Sequence, residues 1–335
     1  MNSMSNDSKH SLNPVLQINY STMNILITGL HGFIGCNLTI ALKAKQTLYA
    51  LDIISPEKDG VAQTFSWSDL ESNNLPEVDT IIHLAGKAHD TKNQSEAQIY
   101  FDINTGLTQK IYDYFLTSSA RKFIFFSSVK AAADTVPGGV LTEEVIPAPK
   151  GPYGESKILA EKYIQDHWPA PDSGKQVYIL RPCMIHGPGN KGNLNLLYSV
   201  VHKGIPWPLG AFENRRSFTS VDNLCFVIDG LISGDVESGI YHMADDEALS
   251  TNELIEVMCE AMGREARIWH LPKSLMNFAA QIGGVLHLPL DPERLRKLTE
   301  NYVASNAKIK NALGVDHMPI TAREGLRRTM QSFLK

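Results

Sequence analysis

The sequence predicts an α/β fold with a doubly wound parallel sheet and a smaller C-terminal α/β lobe. Short, continuous apolar runs recur in the first half and alternate with segments of helical spacing, which is typical of parallel strands covered on both faces. The length of 335 residues fits two lobes. With 43% hydrophobic and 20% charged residues, the composition is that of an ordinary globular protein and excludes disorder for most of the chain.

The predicted elements of the first lobe follow in strict alternation. The apolar runs begin near residues 23, 47, 79, 122 and 176. Helical spacing follows the first run and recurs over about 95–118 and 153–168. We therefore expect a Rossmann-type sheet over residues 23–182, to which residues 217–245 return with a strand and a helix.

The second lobe is predicted from residues 183–216 and 246–335, where Gly/Pro-rich loops precede further helices. These helices are expected near 194–203, 251–263, 273–282, 292–299 and 321–333. Residues 1–22 are polar and lack the apolar core of a secretory signal, so they are interpreted as a disordered tail, with Met23 as an alternative start. A substrate is expected between the lobes, beyond the C-terminal ends of the strands.

Charge and composition exclude several classes of function. The net charge is −5 and no basic block is present, which argues against a nucleic-acid partner. The apolar stretch 275–290 is shorter than the ~18 residues that indicate a membrane span. It predicts a core helix and a loop without stable membrane insertion, with interfacial contact as the alternative. Four dispersed cysteines and scattered histidines predict reduced thiols, no metal site and a cytoplasmic location.

A glycine-rich turn directly follows the first strand and opens the first helix. Gly29 permits a tight turn, Gly32 allows close backbone approach, and Gly35 allows the helix to pack against the strand. The N–H groups of the helix N-terminus, at Phe33 and Ile34, are placed to bind a pyrophosphate. The spacing is GxxGxxG, and its position between a strand and a helix predicts a dinucleotide site.

Two acidic positions extend this predicted site. Asp52 ends the second strand, where a carboxylate accepts ribose hydroxyl hydrogen bonds and repels a 2′-phosphate. Because no Arg flanks it, NAD is favoured over NADP. Asp69 and Leu70 are expected at the edge of the adenine, with a plain loop as the alternative.

The sharpest chemical signal is the pair Tyr153 and Lys157. Their spacing of four residues places a phenol and an ammonium on one face of a helix. A neighbouring cation is expected to lower the pKa of the phenol, which allows Tyr153 to move a proton near neutral pH. Ser128, at the end of the strand that begins near residue 122, is expected to bind the same substrate oxygen, with Ser127 as the less favoured alternative. Asn104 is expected to satisfy backbone groups across the sheet.

Together these motifs resemble one family. TGLHGFIG, LDI with Asp52, HLAG, FIFFSS, PYGESK and LRPCMIHGPG are similar to the extended short-chain dehydrogenase/reductases of the NAD-dependent epimerase/dehydratase type, over about residues 23–334. The resemblance implies hydride chemistry on nucleotide-activated sugars by a triad of Ser128, Tyr153 and Lys157. It also implies cofactor contacts at residues 84–86, which are Leu84, Ala85 and Gly86.

The segments HLAGKAH, FFSSVKA, GNKGNLNLL and ENRRSFTSVDNL resemble a narrower, bacterial polysaccharide-locus branch. That branch contains UDP-sugar 4-epimerases and UDP-N-acetylquinovosamine 4-reductases. Both reactions use the same groups, so the sequence leaves them open. A 4,6-dehydratase is disfavoured because Val129 and Lys130, rather than two carboxylates, follow Ser128.

The resemblance also implies anchors for a UDP diphosphate. Arg216 falls where the family places a diphosphate-binding arginine, and a guanidinium bonds two phosphate oxygens at once; Arg215 is the alternate. Asn193, Lys130 and Arg294 are further candidates, each with a structural or solvated role as its alternative.

The sequence therefore predicts a C4 epimerase or reductase of a UDP-linked, N-acetylated hexose in surface-polysaccharide synthesis. The rival interpretations are an epimerase of a polyprenyl-diphosphate-linked sugar, a 4,6-dehydratase, and a non-enzymatic dinucleotide-binding redox sensor. The resemblance implies a homodimer that pairs through the helices at 95–118 and 153–168.

Overall fold

A computed structural model describes residues 22–87, 96–136, 139–190, 192–286 and 290–334. Apart from Thr22, the predicted tail 1–22 lies outside the described residues. The strands are β1 Asn24–Thr28, β2 Thr47–Leu51, β3 Val61–Phe65, β4 Thr80–His83, β5 Lys122–Phe126, β6 Val140–Leu141, β7 Gln176–Pro182, β8 Met184–His186, β9 Phe218–Ser220, β10 Gly239–Met243 and β11 Val303–Ala304.

Seven of these strands form one sheet in the order β3–β2–β1–β4–β5–β7–β10. All of its pairs are parallel, which confirms the doubly wound sheet predicted from the apolar runs. The strand order reverses between β1 and β4, and the crevice at such a reversal is where open α/β sheets bind ligands.

Two strands of the sheet were not among the predicted starts, and one predicted strand pairs elsewhere. β3 is an edge strand in which only Phe65 is buried, so it lacks a continuous apolar run. The strand expected to return to the sheet, β9, instead forms a two-stranded sheet with β8. The return is made by α8 (Val221–Ser233), which packs on the first helix, and by β10, which pairs with β7.

The helices are α1 Phe33–Leu42, α2 Trp67–Glu71, α3 Ala97–Tyr100, α4 Leu107–Thr117, α5 Val129–Ala132, α6 Pro152–Asp166, α7 Asn193–His202, α8, α9 Thr251–Ala261, α10 Lys273–Val285, α11 Pro292–Thr299, α12 Ala307–Leu313 and α13 Ala322–Phe333. A π-helical segment, Phe101–Gly106, joins α3 to α4. The predicted helix at 95–118 is thus one rod with a widened turn in its middle.

Among the described residues, four clusters of buried apolar side chains are present, and the three largest involve most of the helices. Two of them contain side chains of the central sheet, one with α1 and α8 and the other with α4 and α6. A third lies among α7, α9, α10, α11 and α13 in the C-terminal part. Within the described ranges, every helix is too short or too polar to cross a lipid bilayer. The lobe boundaries given above stay a prediction.

Candidate active site

The glycine turn after β1 is shaped for close backbone approach. Gly29 has φ +68°, a conformation that L side chains rarely adopt. A Cβ on Gly29 would lie 2.9 Å from both N and Cα of Ala85, in the loop after β4. The turn therefore brings the ends of two neighbouring strands together and leaves no room for a side chain between them.

Helix α1 begins at this turn with its N-terminus uncovered. Gly32 is the N-cap, no side chain caps the helix, and its first turn holds no acidic residue. A Cβ on Gly35 would lie 2.3 Å from the Leu30 carbonyl oxygen, so a glycine is required for this packing. The first N–H groups, at Phe33 and Ile34, lie at the positive end of the helix dipole, which favours an anion.

The carboxylate of Asp52 lies beside the same turn. Its Oδ2 accepts a hydrogen bond from the His31 N–H at 3.0 Å, and its Oδ1 accepts one from the Ile53 N–H at 2.8 Å. Each carboxylate oxygen keeps a second lone pair for a ribose hydroxyl. The tight turn, the uncapped helix end and this anionic acceptor together fit a dinucleotide with a free 2′-hydroxyl.

Asp69 and Leu70 have structural roles at the start of α2. The Asp69 carboxylate accepts hydrogen bonds from the Ser66 N–H at 2.8 Å and the Ser66 hydroxyl at 2.7 Å, which forms a capping box at the start of α2. The Ser66 hydrogen bonds lower the pKa of Asp69. Leu70 is buried in the core. Asp69 Oδ1 accepts from Asn74 Nδ2 at 3.4 Å and keeps a second lone pair. The expected adenine contact stays a prediction.

A buried histidine links the glycine turn to the long helix. His83 Nδ1 lies 2.7 Å from Thr28 Oγ1, and Nε2 lies 2.9 Å from Thr108 Oγ1. Thr28 Oγ1 also accepts a hydrogen bond from the Ala85 N–H at 3.0 Å. Burial lowers the pKa of His83 to about 3, so the imidazole is neutral and positions β1, β4 and α4 relative to one another.

Asn104 lies in the π-helical segment, fully buried. Its side chain accepts from the Lys87 N–H at 2.8 Å, donates to the Lys87 carbonyl at 3.2 Å, and donates to Ser156 Oγ at 3.0 Å. The expected backbone role is thus present across the loop after β4. Ser156, on α6, was not predicted, although it follows Tyr153 by three residues and so lies on the same helix face. A Cβ on Gly86 would lie 2.9 Å from Asn104 Oδ1 and 3.3 Å from Lys157 Nζ.

The structure brings Ser128, Tyr153 and Lys157 together. Ser128 follows β5 and caps α5, where its Oγ accepts from the Lys130 N–H at 3.2 Å. The side chains of Ser128 and Tyr153 are hydrogen-bonded. Lys157 Nζ donates to the Phe126 carbonyl at 2.8 Å, so the ammonium is held at the end of the same strand.

The pKa of Tyr153 differs from the expectation. Burial raises the pKa of Tyr153 and the Tyr100 ring adds to that rise, whereas the Ser128 hydrogen bond opposes it. Burial lowers the pKa of Lys157 to about 8, against the attraction of Glu161. The predicted lowering of the phenol pKa is therefore wrong, because burial raises this pKa and Ser128, not Lys157, opposes the rise.

A buried ion pair contacts the end of β5 through Ser127. Glu161, one turn after Lys157 on α6, accepts a hydrogen bond from the Ser127 hydroxyl and pairs with Arg181 of β7 at 2.5 Å. Both charged side chains are almost completely buried. Sequence reasoning missed this pair: the four-residue spacing places Glu161 on the Lys157 face of α6, but no spacing in the sequence points to Arg181. Ser127 is therefore bonded to Glu161, whereas Ser128 contacts Tyr153.

Among the candidate anchors for a diphosphate, Arg216 and Lys130 lie near each other. The Arg216 guanidinium donates to the Lys297 carbonyl of α11, and burial lowers its pKa. Lys130 Nζ donates to the Asp134 carbonyl at 2.6 Å and lies 4.6 Å from the centre of the Tyr302 ring. Burial lowers the pKa of Lys130, and the charge of Arg216 contributes to this. Lys130 also pairs with the Asp134 carboxylate at 3.3 Å, and the charge of Glu300 acts on both cations, so the two cations lie among carboxylates near Ser128.

The other proposed anchors are placed differently. Arg294, on α11, is exposed and pairs with Asp291 of its own helix start at 3.5 Å. Arg215 is exposed and pairs with Glu253 at 3.1 Å. The backbone of Asn193 begins α7, but its side chain lies outside the described part of the structure. The assignment of Arg216 and Lys130 as anion anchors stays a prediction.

Comparison with known proteins agrees with this geometry. Residues 25–244 match the model of the NAD dependent epimerase/dehydratase family. The chain is 30% identical to the UDP-glucose 4-epimerase of Vibrio cholerae, over 93% of this chain and 96% of that protein. It is 25% identical to the N-acetyl-alpha-D-glucosaminyl-diphospho-ditrans,octacis-undecaprenol 4-epimerase of Escherichia coli O157:H7, over 92% and 94%. Its fold is similar to that of the UDP-glucuronic acid 4-epimerase from Bacillus cereus solved with NAD, with a TM-score of 0.70 and 19% identity, covering 93% of this chain and 99% of that one.

Proposed function

Because the chain belongs to the NAD-dependent epimerase/dehydratase family, we propose that it is a 4-epimerase of a UDP-linked hexose, with an N-acetylated hexose as the expected substrate. The observation that carries this proposal is the hydrogen bond between the Ser128 and Tyr153 hydroxyls, with Lys157 held behind them at the end of β5. The 4-epimerase activity of the Vibrio cholerae relative supports the choice of reaction.

The residues that would hold NAD are those of the glycine turn, the start of α1 and Asp52. Bound there, NAD supplies a hydride acceptor that later serves as the hydride donor. Leu84, Ala85 and Gly86 line the loop that faces the turn, and Asn104 holds that loop in place. The Asp52 carboxylate favours NAD, since it would repel the 2′-phosphate of NADP.

Tyr153 is proposed to accept the proton of the sugar C4 hydroxyl as that carbon is oxidised, and to return it when the carbon is reduced. Because burial raises the pKa of the phenol, the phenolate needs a compensating positive charge. The Lys157 ammonium supplies that charge in the occupied site. Ser128 donates a hydrogen bond to the same sugar oxygen and holds it in line with Tyr153.

Arg216 and Lys130 are proposed to bind the diphosphate of the substrate. Arg216 bonds to the Lys297 carbonyl, whereas Lys130 bonds to the Asp134 carbonyl and also pairs with the Asp134 carboxylate at 3.3 Å. A phosphate oxygen can replace each carbonyl with a stronger, charge-assisted hydrogen bond. The partner exchange brings the nucleotide against α11 and leaves the sugar near Tyr153.

A second candidate substrate is a sugar carried on a polyprenyl diphosphate. The similarity to the undecaprenol-linked 4-epimerase of Escherichia coli supports it, and the diphosphate would use the same Arg216 and Lys130. A role in surface-polysaccharide synthesis and a homodimer formed through α4 and α6 accompany both proposals.

The test is to incubate the purified protein with UDP-N-acetylglucosamine or UDP-glucose, without added cofactor, and to follow the C4 configuration by NMR. Interconversion of the two C4 epimers supports a 4-epimerase that retains NAD. Conversion only of a 4-keto sugar with added NADH identifies a 4-reductase instead. No reaction with any UDP-sugar, combined with turnover of a polyprenyl-diphosphate sugar, selects the lipid-linked substrate.

A further inference from the structure

Helix α10 has two apolar faces, and only one of them is covered. Met276, Ala280 and Gly283 are buried and face the third apolar cluster. The opposite face is apolar as well, with exposed fractions of 50% at Leu275, 61% at Phe278, 41% at Ile282 and 79% at Val285. These positions repeat every three to four residues, so they form one continuous stripe along the helix.

The stripe continues beyond the helix. Leu286, directly after α10, is 61% exposed, and Trp269, in the segment that leads into the helix, is 55% exposed. A surface helix of a globular domain normally presents polar side chains on its outer face. Contiguous exposed apolar residues of this kind mark a surface that binds something. We define the α10 stripe as Leu275, Phe278, Ile282, Val285 and Leu286.

The charge around the α10 stripe narrows the choice of partner. Residues 266–290 contain no Asp or Glu, although the whole chain carries a net charge of −5. The cations in that stretch, Arg267 and Lys273, are both exposed. Acidic residues flank that stretch at Glu265, Asp291 and Glu293, but residues 264–299 as a whole hold six Lys and Arg against three Asp and Glu. An apolar stripe with an exposed tryptophan and an excess of basic charge in its segment is the pattern of a helix that lies in the interface of an anionic membrane.

We propose that the α10 stripe and Trp269 dock this protein on the surface of an anionic lipid bilayer. The apolar side chains enter the boundary between headgroups and acyl chains, while Arg267 and Lys273 contact lipid phosphates. The docking is peripheral, and it neither requires nor specifies the reaction proposed above.

A second copy of this chain is a poorer occupant of the stripe. Two copies related by a two-fold axis on α10 would bring the same acid-free stretch against itself. Arg267 and Lys273 would then face cations and no carboxylate within the opposing stretch, which disfavours the contact. A bilayer containing anionic lipid meets both the apolar and the charge requirement.

The position of α10 fits this role. It packs against α11, whose Lys297 carbonyl receives the Arg216 guanidinium. Docking through α10 therefore places the membrane beside the same helix that holds the candidate diphosphate anchor.

The experiment is flotation of the full-length protein with vesicles of phosphatidylcholine, with or without phosphatidylglycerol. The variant Phe278→Ser/Val285→Ser removes two side chains of the stripe. A matched control, Ile40→Ser/Ile146→Ser, removes two apolar side chains that are exposed by 71% and 87% elsewhere. We expect wild type and control to float with the anionic vesicles, and the stripe variant to bind at least about tenfold more weakly, since it loses two apolar side chains that the bilayer would bury.

A further variant separates the contribution of the basic charges from that of the apolar side chains. Arg267→Gln/Lys273→Gln should abolish the preference for phosphatidylglycerol, because the basic charges supply it. Failure of the wild type to float with anionic vesicles would overturn the proposal. A second contrary result would come from sedimentation: if the wild type and the control are dimers and the stripe variant is a monomer, a second copy covers the stripe.

The readout is independent of the proposed reaction. Tyr153→Phe should float like the wild type, and the stripe variant should turn over a water-soluble UDP-sugar at the wild-type rate. A protein that floats but converts no sugar refutes the proposed function alone. An active protein that does not float refutes the docking surface alone.

Discussion

The sheet lobe and the C-terminal lobe hold their candidate functional groups in different ways. In the sheet lobe, Ser128 and Lys157 are buried, and each bonds to a neighbour at the end of β5. In the C-terminal lobe, the Arg216 guanidinium bonds to a carbonyl of α11, and Arg294 is exposed and pairs within its own helix start.

The candidate groups of the sheet lobe are thus in place before a ligand binds, whereas those of the C-terminal lobe change partners when a ligand binds. A buried group surrounded by satisfied partners is preorganised, so its position changes little on binding. A cation that bonds to a backbone carbonyl can exchange that partner for a phosphate. Substitutions in the two lobes should therefore affect turnover and substrate binding separately.

Tyr153→Phe should give the largest effect of these variants. A small effect would contradict the contrast between the two lobes. Loss of the phenolic proton carrier should lower kcat by at least about 10²-fold while KM changes little. Steady-state kinetics with the substrate identified by NMR measure both. The matched control is Tyr163→Phe on the same helix, since its hydroxyl bonds to Asp113 at an exposed position. Near-normal turnover of Tyr153→Phe would reject the mechanism.

Arg216→Ala should act on binding rather than on chemistry. Charged hydrogen bonds contribute about 1.5–3 kcal/mol, so KM for the UDP-sugar should rise roughly 10- to 100-fold with kcat retained. Arg215→Ala, next to it but paired with Glu253, should leave KM almost unchanged. A fall in kcat at constant KM would place Arg216 in the chemistry instead, and thermal denaturation checks that the variant is folded.

A pair of glycine variants tests whether the glycine turn of the sheet lobe requires close backbone approach. Gly29 and Gly174 have the same φ of +68°, but a Cβ at Gly29 meets Ala85 backbone at 2.9 Å and one at Gly174 meets nothing within 4 Å. Gly174→Ala should lower the free energy of unfolding only by the left-handed cost of about 1–2 kcal/mol. Gly29→Ala should lower it further and weaken NAD binding about tenfold or more, as measured by denaturant unfolding and NAD titration. Equal effects of the two variants would show that the close approach to Ala85 is unimportant.

The smallest expected effect is on pH dependence. An ordinary lysine stays charged up to about pH 10, but burial lowers the pKa of Lys157 to about 8. As pH rises through about 8, the ammonium is lost, and with it the charge that stabilises the Tyr153 phenolate. We expect kcat/KM to fall above about pH 8. Lys157→Arg, which stays charged, should shift the fall to higher pH; an unchanged profile in this variant would assign the fall to another group.

Prediction from sequence worked best where one local rule decides the answer. The turn with Gly29 was predictable because a strand, a glycine triplet and a helix are contiguous. Tyr153 and Lys157 were placed on one face by helical periodicity alone. Asp69 shows the limit, since the capping box with Ser66, three residues earlier, gives its carboxylate a structural role that the expectation of an adenine contact did not consider.

Other features could not be predicted because they join distant segments. The pair of Glu161 and Arg181 connects α6 to β7, and the bonds of His83 connect β4 to β1 and α4. The pKa of Tyr153 depends on the Tyr100 ring as well as on Ser128 and burial. No spacing rule in the sequence relates these positions.

The sequence by itself determined five of the seven strands of the parallel sheet and the helix face that carries Tyr153 and Lys157. These follow from short-range periodicity, and parallel strands end at one edge of a sheet. Only the tertiary structure decided which partner each charged side chain takes, the direction of each pKa, and which apolar face of α10 stays uncovered. Those properties depend on burial, and burial is set by segments that are far apart in the chain.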